Sequence, residues 1–318
     1  MKNCLITGGA GFVGSCLAEK MVGKGWEVKI IDNLSTGNLE NIKKIRKQVE
    51  LINLDVRDLN KIKSSSNAKA TADREKLKVD AIIHLAAQIY VEKSILDPKE
   101  TLDINLNGTI NILELAKEIG VKRIIFASSS AVYGNINKEN ISEKEILKPI
   151  SPYGLSKLMA EELLALYSRL YGITTTSLRF FNIYGPRQKG DSSYSGVISK
   201  FLERIKNNEK PVIYGNGKQT RDFIFVKDAV GGIIKALKLN DKKNHIYNVG
   251  TGNTITINNL LKLIMSLKAK KNKLLPIYKP ARKGDIAFSG ANISKIKKEL
   301  SFQPKYTIKQ GLKLMAGN

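Results

Sequence analysis

Histidine and cysteine are scarce, two of each among 318 residues. Cys4 and Cys16 are too few for a disulfide framework and suit small thiols kept reduced in a cytoplasmic compartment. His84 and His245 stand singly in apolar strand-like runs with no cysteine beside them, which predicts packing roles and no metal site. Acidic residues are also few, 29 against 53 basic ones, leaving a formal charge of +24. Such an excess raises nucleic acid or a membrane surface as partner. The lysines, however, are scattered through NIKKIRKQ, RIKNNEK, KLNDKKN, KAKKNK and SKIKKE, and the aromatic and glycine spacing of an RNA-binding module is missing. The expectation is a solvated basic surface without a nucleic-acid partner, whose potential helps recruit an anionic substrate. No apolar run approaches the roughly 18 residues that would span a bilayer. The opening MKNCLITGG runs straight into a strand and a turn, unlike a secretory signal, and no membrane partner is expected.

What is present is a regular alternation of strand and helix. Short apolar runs at 3–7, 26–32, 49–55, 79–87 and 121–129 read as strands, with helical segments over 12–24 and about 99–118. Strands apolar on both faces, separated by helices, predict an α/β fold with a parallel sheet covered on both sides. Asp97-Pro98 fits a boundary before the second of these helices. The polar stretch 64–76 reads as a surface excursion, partly helical. A further helix is expected over 153–171 and a strand in TTTSLRFFN. Beyond Pro186 the pattern loosens into a polar loop, RQKGDSSYSG, and a helix, VISKFLERIKNN. Two short strands around a glycine turn follow in PVIYGNGKQTRDFIFV, then a helix from Asp228 to Leu239 capped by that acid, and a strand, NHIYNVG. The terminal segment, about 254–318, is read as helices alternating with loops.

TGGAGFVGS, residues 7–15, joins the first strand to the first helix. Gly9, Gly11 and Gly14 have the spacing G-x-G-x-x-G, with Gly8 in front. Small residues there admit a pyrophosphate and let the helix pack closely, and a helix N-terminus favours negative charge. Asp32 ends the next strand, where a carboxylate can accept bonds from an adenosine ribose and would repel a 2′-phosphate; NAD rather than NADP is expected. Asp55 is either an acceptor for the adenine amino group or a strand-end cap. Ala86 and Ala87 either line the nicotinamide side of the cleft or simply pack.

SSSAVYG, 128–134, ends the fifth strand, and SPYGLSKLMAEE follows. Tyr153 and Lys157 are four apart, on one face of a helix. An ammonium beside a phenol stabilises phenolate, so the tyrosine becomes a base near neutral pH.

With these residues in view, the chain resembles the extended short-chain dehydrogenase/reductase family of NAD-dependent nucleotide-sugar epimerases and dehydratases. The resemblance is carried by TGGAGFVGS, DNLSTG, Asp55, HLAAQ, Asn105, SSSAVYG, SPYGLSK, RFFNIYGPRQ, GKQTRDFIFVKDA and ARKGDI, and spans nearly the whole chain. It implies a Rossmann-type parallel sheet covered by helices, with a smaller mixed α/β domain. Residues 1–179 would be the NAD-binding domain, rejoined by 226–250; 180–225 and 251–318 would bind the nucleotide sugar. It makes Ser129, Tyr153 and Lys157 the catalytic set, leaving Ser128 and Ser130 to bond backbone or ribose, with Ser130 also among the substrate contacts. Gly8, Gly11, Phe12, Val13, Gly14, Asp32, Asn33, Ser35, Gly37, Asp55, Val56, Leu85, Ala86, Ala87 and Asn105, with Tyr153 and Lys157, would hold NAD. Ser129, Tyr153, Asn182, Arg221, Arg282, Asp285 and Ser289 would meet a UDP-sugar, the arginines through their planar multi-donor geometry. The helices at about 99–118 and 153–171 resemble the pair that forms a homodimer interface in this family.

The resemblance also bears on the reaction. A 4,6-dehydratase of the family has Asp and Glu after the catalytic hydroxyl, and decarboxylases of nucleotide-bound glucuronate usually have a glutamate at the second of these places. Here Ser130 and Ala131 stand there. That points to a UDP-glucose/UDP-galactose 4-epimerase, with Ser289 leaving room for N-acetyl forms where a bulky residue restricts other members. Ile89 stands where some glucose/galactose epimerases carry a lysine. The alternatives are a reductase, decarboxylase or dehydratase of a related nucleotide sugar, or a non-catalytic nucleotide-binding protein.

Overall fold

The computed structural model describes residues 2–58, 79–136, 138–188, 196–267, 274–281 and 286–315. Along the first half run β1 (Asn3–Thr7), α1 (Phe12–Val22), β2 (Glu27–Asp32), β3 (Val49–Asn53), β4 (Ala81–His84), α2 (Val91–Leu96) and α3 (Pro98–Leu102). A π-helical turn (Asp103–Asn107) leads without a break into α4 (Gly108–Glu118), followed by β5 (Arg123–Ser129), α5 (Pro152–Tyr171) and β6 (Thr174–Phe180). The second half adds β7 (Asn182–Tyr184), α6 (Val197–Lys206), β8 (Val212–Tyr214), β9 (Thr220–Arg221), β10 (Phe223–Phe225), α7 (Val226–Ala236) and β11 (Asn244–Val249). The last elements are β12 (Ile255–Thr256), α8 (Ile257–Leu267), β13 (Ile277–Lys279), α9 (Ser294–Leu300) and α10 (Ile308–Met315).

Seven strands form one sheet in the order β11-β6-β5-β4-β1-β2-β3, every neighbouring pair parallel. Alternation along each strand shows why both faces are covered. Ile6, Ile30, Ile83 and Ile125 enter a core with Leu17 and Met21 of α1 and Val230 and Ile233 of α7. Leu5, Ile31, Ile82, Ile124 and Phe126 enter a second core with Ile112 and Leu113 of α4 and Leu164 of α5. Full burial of each such side chain stabilises the fold by about 1.5–3 kcal/mol. The order reverses between β1 and β4, the switch point where open sheets of this Rossmann type leave a crevice beyond the strand ends.

A smaller mixed α/β layer sits beyond that crevice. It is built from β7 with β10, β8 with β13 and β9 with β12, and packs Phe201, Phe223, Phe225, Leu260, Leu261 and Leu312. Phe12 and Val13 at the start of α1 pack against this core as well, tying the two layers together beside the glycine turn.

The structure alters several expectations. PVIYGNGKQTRDFIFV holds three short strands, and none pairs with another, because each finds its partner elsewhere. Asp228 does not cap α7, which starts at Val226; its carboxylate accepts the amides of Lys305 and Tyr306 at 3.0 and 2.9 Å, pinning the C-terminal segment. The terminal segment contains β12 and β13 as well as helices. The helix expected over about 99–118 carries the π turn within it. His245 does more than pack, since its Nε2 lies 2.9 Å from Asp241. The excursion 64–76 and most of the 187–196 loop lie outside the described residues. Among the described residues no helix is long and apolar enough to cross a membrane, and no cluster of His, Cys, Asp and Glu could hold a metal ion.

Candidate active site

The glycine turn is closed to side chains by its own backbone. A methyl group on Gly14 would lie 2.1 Å from the Gly8 carbonyl oxygen, and Gly8 itself has φ +69 with Ala86 close behind it. Gly11 is the N-cap of α1 and offers no side-chain acceptor, so the first helical amides face the turn with the polarity that binds anions. Asp32 reaches back under this turn. One oxygen accepts from Ala10 N at 2.9 Å and the other from Leu34 N at 2.8 Å, which leaves lone pairs for a diol. Gly37 packs against the same carboxylate. Asn33 accepts from Ser35 and donates to Asp55 at 2.7 Å. Asp55 lies in an ion cluster with Arg57 and Asp103, and its bonds from Arg57 hold its carboxyl down at about 2. Val56 is buried beneath, its carbonyl bonded to Asn111. This cradle suits the pyrophosphate and adenosine of a dinucleotide.

Tyr153 and Lys157 are placed by the start of α5. Ser151 accepts from Gly154 N at 3.1 Å, Pro152 begins the helix, and Gly172 ends it in the left-handed conformation. Gly154 has no room for a side chain because the Ala131 carbonyl lies against it, so the first turn of α5 packs directly on the turn after β5. Ser129 caps that turn, its Oγ accepting from Ala131 N at 3.2 Å, and hydrogen-bonds Tyr153. Burial pushes the Tyr153 phenol up, and the Ser129 bond pulls it back. Lys157, only 3% exposed, donates from Nζ to the Ala127 carbonyl at 2.9 Å and lies 5.9 Å from the Tyr153 ring centre. Burial draws its ammonium down to about 7, opposed by the Glu161 carboxylate. Ser129, Tyr153 and Lys157 therefore converge at the end of β5.

A chain of buried bonds holds the strand end opposite. Thr109 donates to the Asn105 carbonyl at 2.6 Å, so it accepts from His84 Nε2, 3.1 Å away. His84 Nδ1 then accepts from Thr7, whose oxygen accepts the amides of Leu85 and Ala86, each at 3.2 Å. His84 is neutral, drawn to about 3 by burial and by Lys157. Asn105, 2% exposed, belongs to the π turn. It accepts from Gln88 N at 2.7 Å and donates to Gln88 O and Ser156 at 2.9 and 3.0 Å. Its amide hydrogens are thus both used, and it lies under the Ala86–Gln88 loop holding it in place.

On the facing layer, Asn182 and Arg221 line one cavity of about 240 Å³ with Lys200, Tyr214 and Gln219. Asn182 Nδ2 donates to Asp222 O at 3.1 Å, and Arg221 donates to Ile286 O at 2.6 Å. Ser289 is buried beside them, its carbonyl accepting Asp222 N at 2.8 Å. Arg282 and Asp285 lie outside the described residues.

Some of the site was missed in the sequence. Ser128 donates to the buried Glu161, which also pairs with Arg179. The signal was present, since Glu161 follows Lys157 by one more helical turn and Arg179 is the lone charge within the strand TTTSLRF. Thr7, Thr109 and Ser156 carry no such signal; only the fold brings them together.

Known proteins resemble the chain over its whole length. Residues 5–315 match the family described as GDP-mannose 4,6 dehydratase. A Methanocaldococcus jannaschii protein provisionally named UDP-glucose 4-epimerase is 40% identical over 312 residues, covering 97% of this chain and 95% of its own. The UDP-glucose 4-epimerase of Thermotoga maritima, solved with UDP-glucose, superposes with a TM-score of 0.91 at 35% identity, covering 99% and 97%. That of Thermus thermophilus, solved with NAD, gives 0.87 at 32%, covering 99% and 98%. A likeness this extensive, shared with a dehydratase family and with epimerases, puts the chain in the extended short-chain dehydrogenase/reductase family of NAD-dependent nucleotide-sugar epimerases, dehydratases and decarboxylases.

Proposed function

We propose that this protein inverts C4 of a UDP-hexose, interconverting UDP-glucose and UDP-galactose, with NAD as its cofactor. The observation that carries this reading is the turn after β5. Ser129, Tyr153 and Lys157 meet there, while the residues that follow, Ser130, Ala131 and Val132, offer no carboxyl group. Elimination of a C6 hydroxyl needs a further acid and base; inversion at one carbon does not.

NAD, when bound, supplies the acceptor for the C4 hydride and returns it. Tyr153 takes the proton from the C4 hydroxyl and gives it back to the same oxygen. Ser129 hydrogen-bonds that oxygen and relays the proton. Lys157 stabilises the phenolate. Gly8, Gly11, Phe12, Val13, Gly14, Asp32, Asn33, Ser35, Gly37, Asp55, Val56, Leu85, Ala86 and Ala87 surround the cofactor, and Asn105 supports the Ala86–Gln88 loop from beneath. Asn182, Arg221, Arg282 and Asp285 hold the UDP portion, and the small Ser289 leaves room for an acetamido group. The NAD-binding unit is 1–179 with 226–250, and 180–225 with 251–318 bind the nucleotide sugar.

A homodimer belongs to the same reading. Leu155, Met159, Leu166 and Leu170 share one exposed face of α5, next to Ile95 and Leu96 of α2, which are 59% and 77% exposed. Apolar residues in such a strip fit a second copy of the same helices.

The test is a panel of UDP-glucose, UDP-galactose, both N-acetyl forms and UDP-glucuronate, resolved by product. Interconversion of a C4 pair without net change in NAD supports the proposal. Carbon dioxide from UDP-glucuronate or stoichiometric NADH consumption refutes it. Tyr153→Phe should lower kcat by about 10²-fold or more; undiminished interconversion sinks the assigned mechanism.

A further inference from the structure

Tyr153, Lys157 and Glu161 follow one another at four-residue spacing along one face of α5, and three consecutive residues of β5 meet them. Ser129 bonds Tyr153, the Ala127 carbonyl accepts from Lys157, and Ser128 donates to Glu161. Arg179 of β6 grips the same carboxylate with Nε 3.0 Å from Oε1 and Nη2 2.6 Å from Oε2. Arg179 also donates to the Tyr133 hydroxyl at 3.0 Å, which donates to Asn248 at 2.6 Å. Glu161 and Arg179 are each 2% exposed. A buried ion pair is a costly way to seat a helix on a strand, since apolar side chains of the same volume do so with less desolvation. What the carboxylate adds is a negative charge one turn from a buried ammonium.

We infer that Glu161 is a positioning residue for the reaction: gripped by Ser128 and Arg179, it keeps Lys157 charged and in line with Tyr153, and so sets the pH range over which Tyr153 acts. This rests on the reading of Tyr153 and Lys157 as the proton-transfer pair. Other titratable groups around them are His84 from β4, which is neutral, Tyr133 from the turn after β5, and Arg179 from β6. On the helices packed against α5, Lys93 pairs with Glu100, Glu114 with Lys117, and Asp103 with Arg57, while Glu92, Lys99 and Glu118 are the other charged side chains. Glu161 is the charge that opposes burial at Lys157.

The test uses the NAD-loaded enzyme with Glu161→Gln, which preserves shape and an acceptor for Ser128. In the variant, kcat should fall about tenfold with KM unchanged, and its alkaline limb should move down by about one pH unit. The Tyr153 phenolate, read by absorbance against the same variant carrying Tyr153→Phe, should emerge at higher pH. Because losing one partner strands the other, Glu161→Gln/Arg179→Gln is measured alongside and should shift both readouts in the same direction. Glu161→Asp, which keeps the charge, should retain the wild-type limb. A wild-type limb and phenolate titration in either amide variant overturns the inference. So does an equal shift in Glu161→Asp, or loss of fold in both amide variants while Glu161→Asp stays folded with a displaced limb. If Tyr153→Phe alone remains active, the reading of the pair has failed instead.

Discussion

Replacing Lys157 by methionine should make the NAD-free protein more stable at neutral pH while destroying its activity. The lysine is 3% exposed, and burial draws its ammonium from 10.5 down to about 7. Each tenfold in that equilibrium is about 1.4 kcal/mol, so keeping this ammonium charged costs the fold on the order of 5 kcal/mol. Because the folded value lies below the unfolded one, the lysine is without this cost above pH 10.5. Stability is lost as pH falls from there to about 7, and the loss is constant below. Methionine fills similar volume and carries no charge, but it leaves the Ala127 carbonyl without its 2.9 Å donor, a loss of roughly 1–3 kcal/mol. The net gain at pH 7 is then about 2–4 kcal/mol, or a rise in Tm of several degrees. Calorimetry of both proteins across pH 6 to 10 measures the gap, since other titrations cancel in the difference. It should be widest below pH 7 and should close or reverse toward pH 10. A gap independent of pH, or a variant less stable at pH 7 than at pH 10 relative to wild type, refutes the reasoning. An active site that holds a charge where the fold would prefer none trades stability for function.

The remaining expectations are simpler. Gly14→Ala places a methyl 2.1 Å from a carbonyl oxygen that cannot yield without opening the turn; purified protein should carry little NAD, scored by absorbance after denaturation. Asn105→Ala removes three buried bonds and should destabilise by about 2–4 kcal/mol while raising the apparent Kd for NAD, because the Ala86–Gln88 loop loses its support. An unchanged Kd would separate that loop from the cofactor. Under the proposed dimer, Leu170→Glu, at a position 61% exposed, should leave the fold intact and lower the sedimentation coefficient to that of a monomer, and a wild-type protein that already sediments as a monomer refutes the dimer.

The glycine turn, the strand-end Asp32 and the Tyr-x-x-x-Lys pair were legible because each is a local feature: its residues are neighbours in sequence and its geometry follows from one turn or one helix. The alternating apolar runs likewise announced a sheet covered on both sides, since a strand buried twice has no polar face to show. The three strands within PVIYGNGKQTRDFIFV could not be read in the same way. Their partners are remote, and short runs carry no periodicity that distinguishes a hairpin from separate pairings. Asp228 looked like a cap because acids favour helix starts, whereas its bonds go to amides 77 and 78 residues away. The chain by itself therefore determined the sheet, the cofactor turn and the hydroxyls proposed to react. Only the tertiary structure decided which groups tune them. Glu161 and Arg179 lie in different elements, and so do His84, Thr7 and Thr109, yet charge and hydrogen bonding act across a few ångströms of packed interior whatever the separation along the chain.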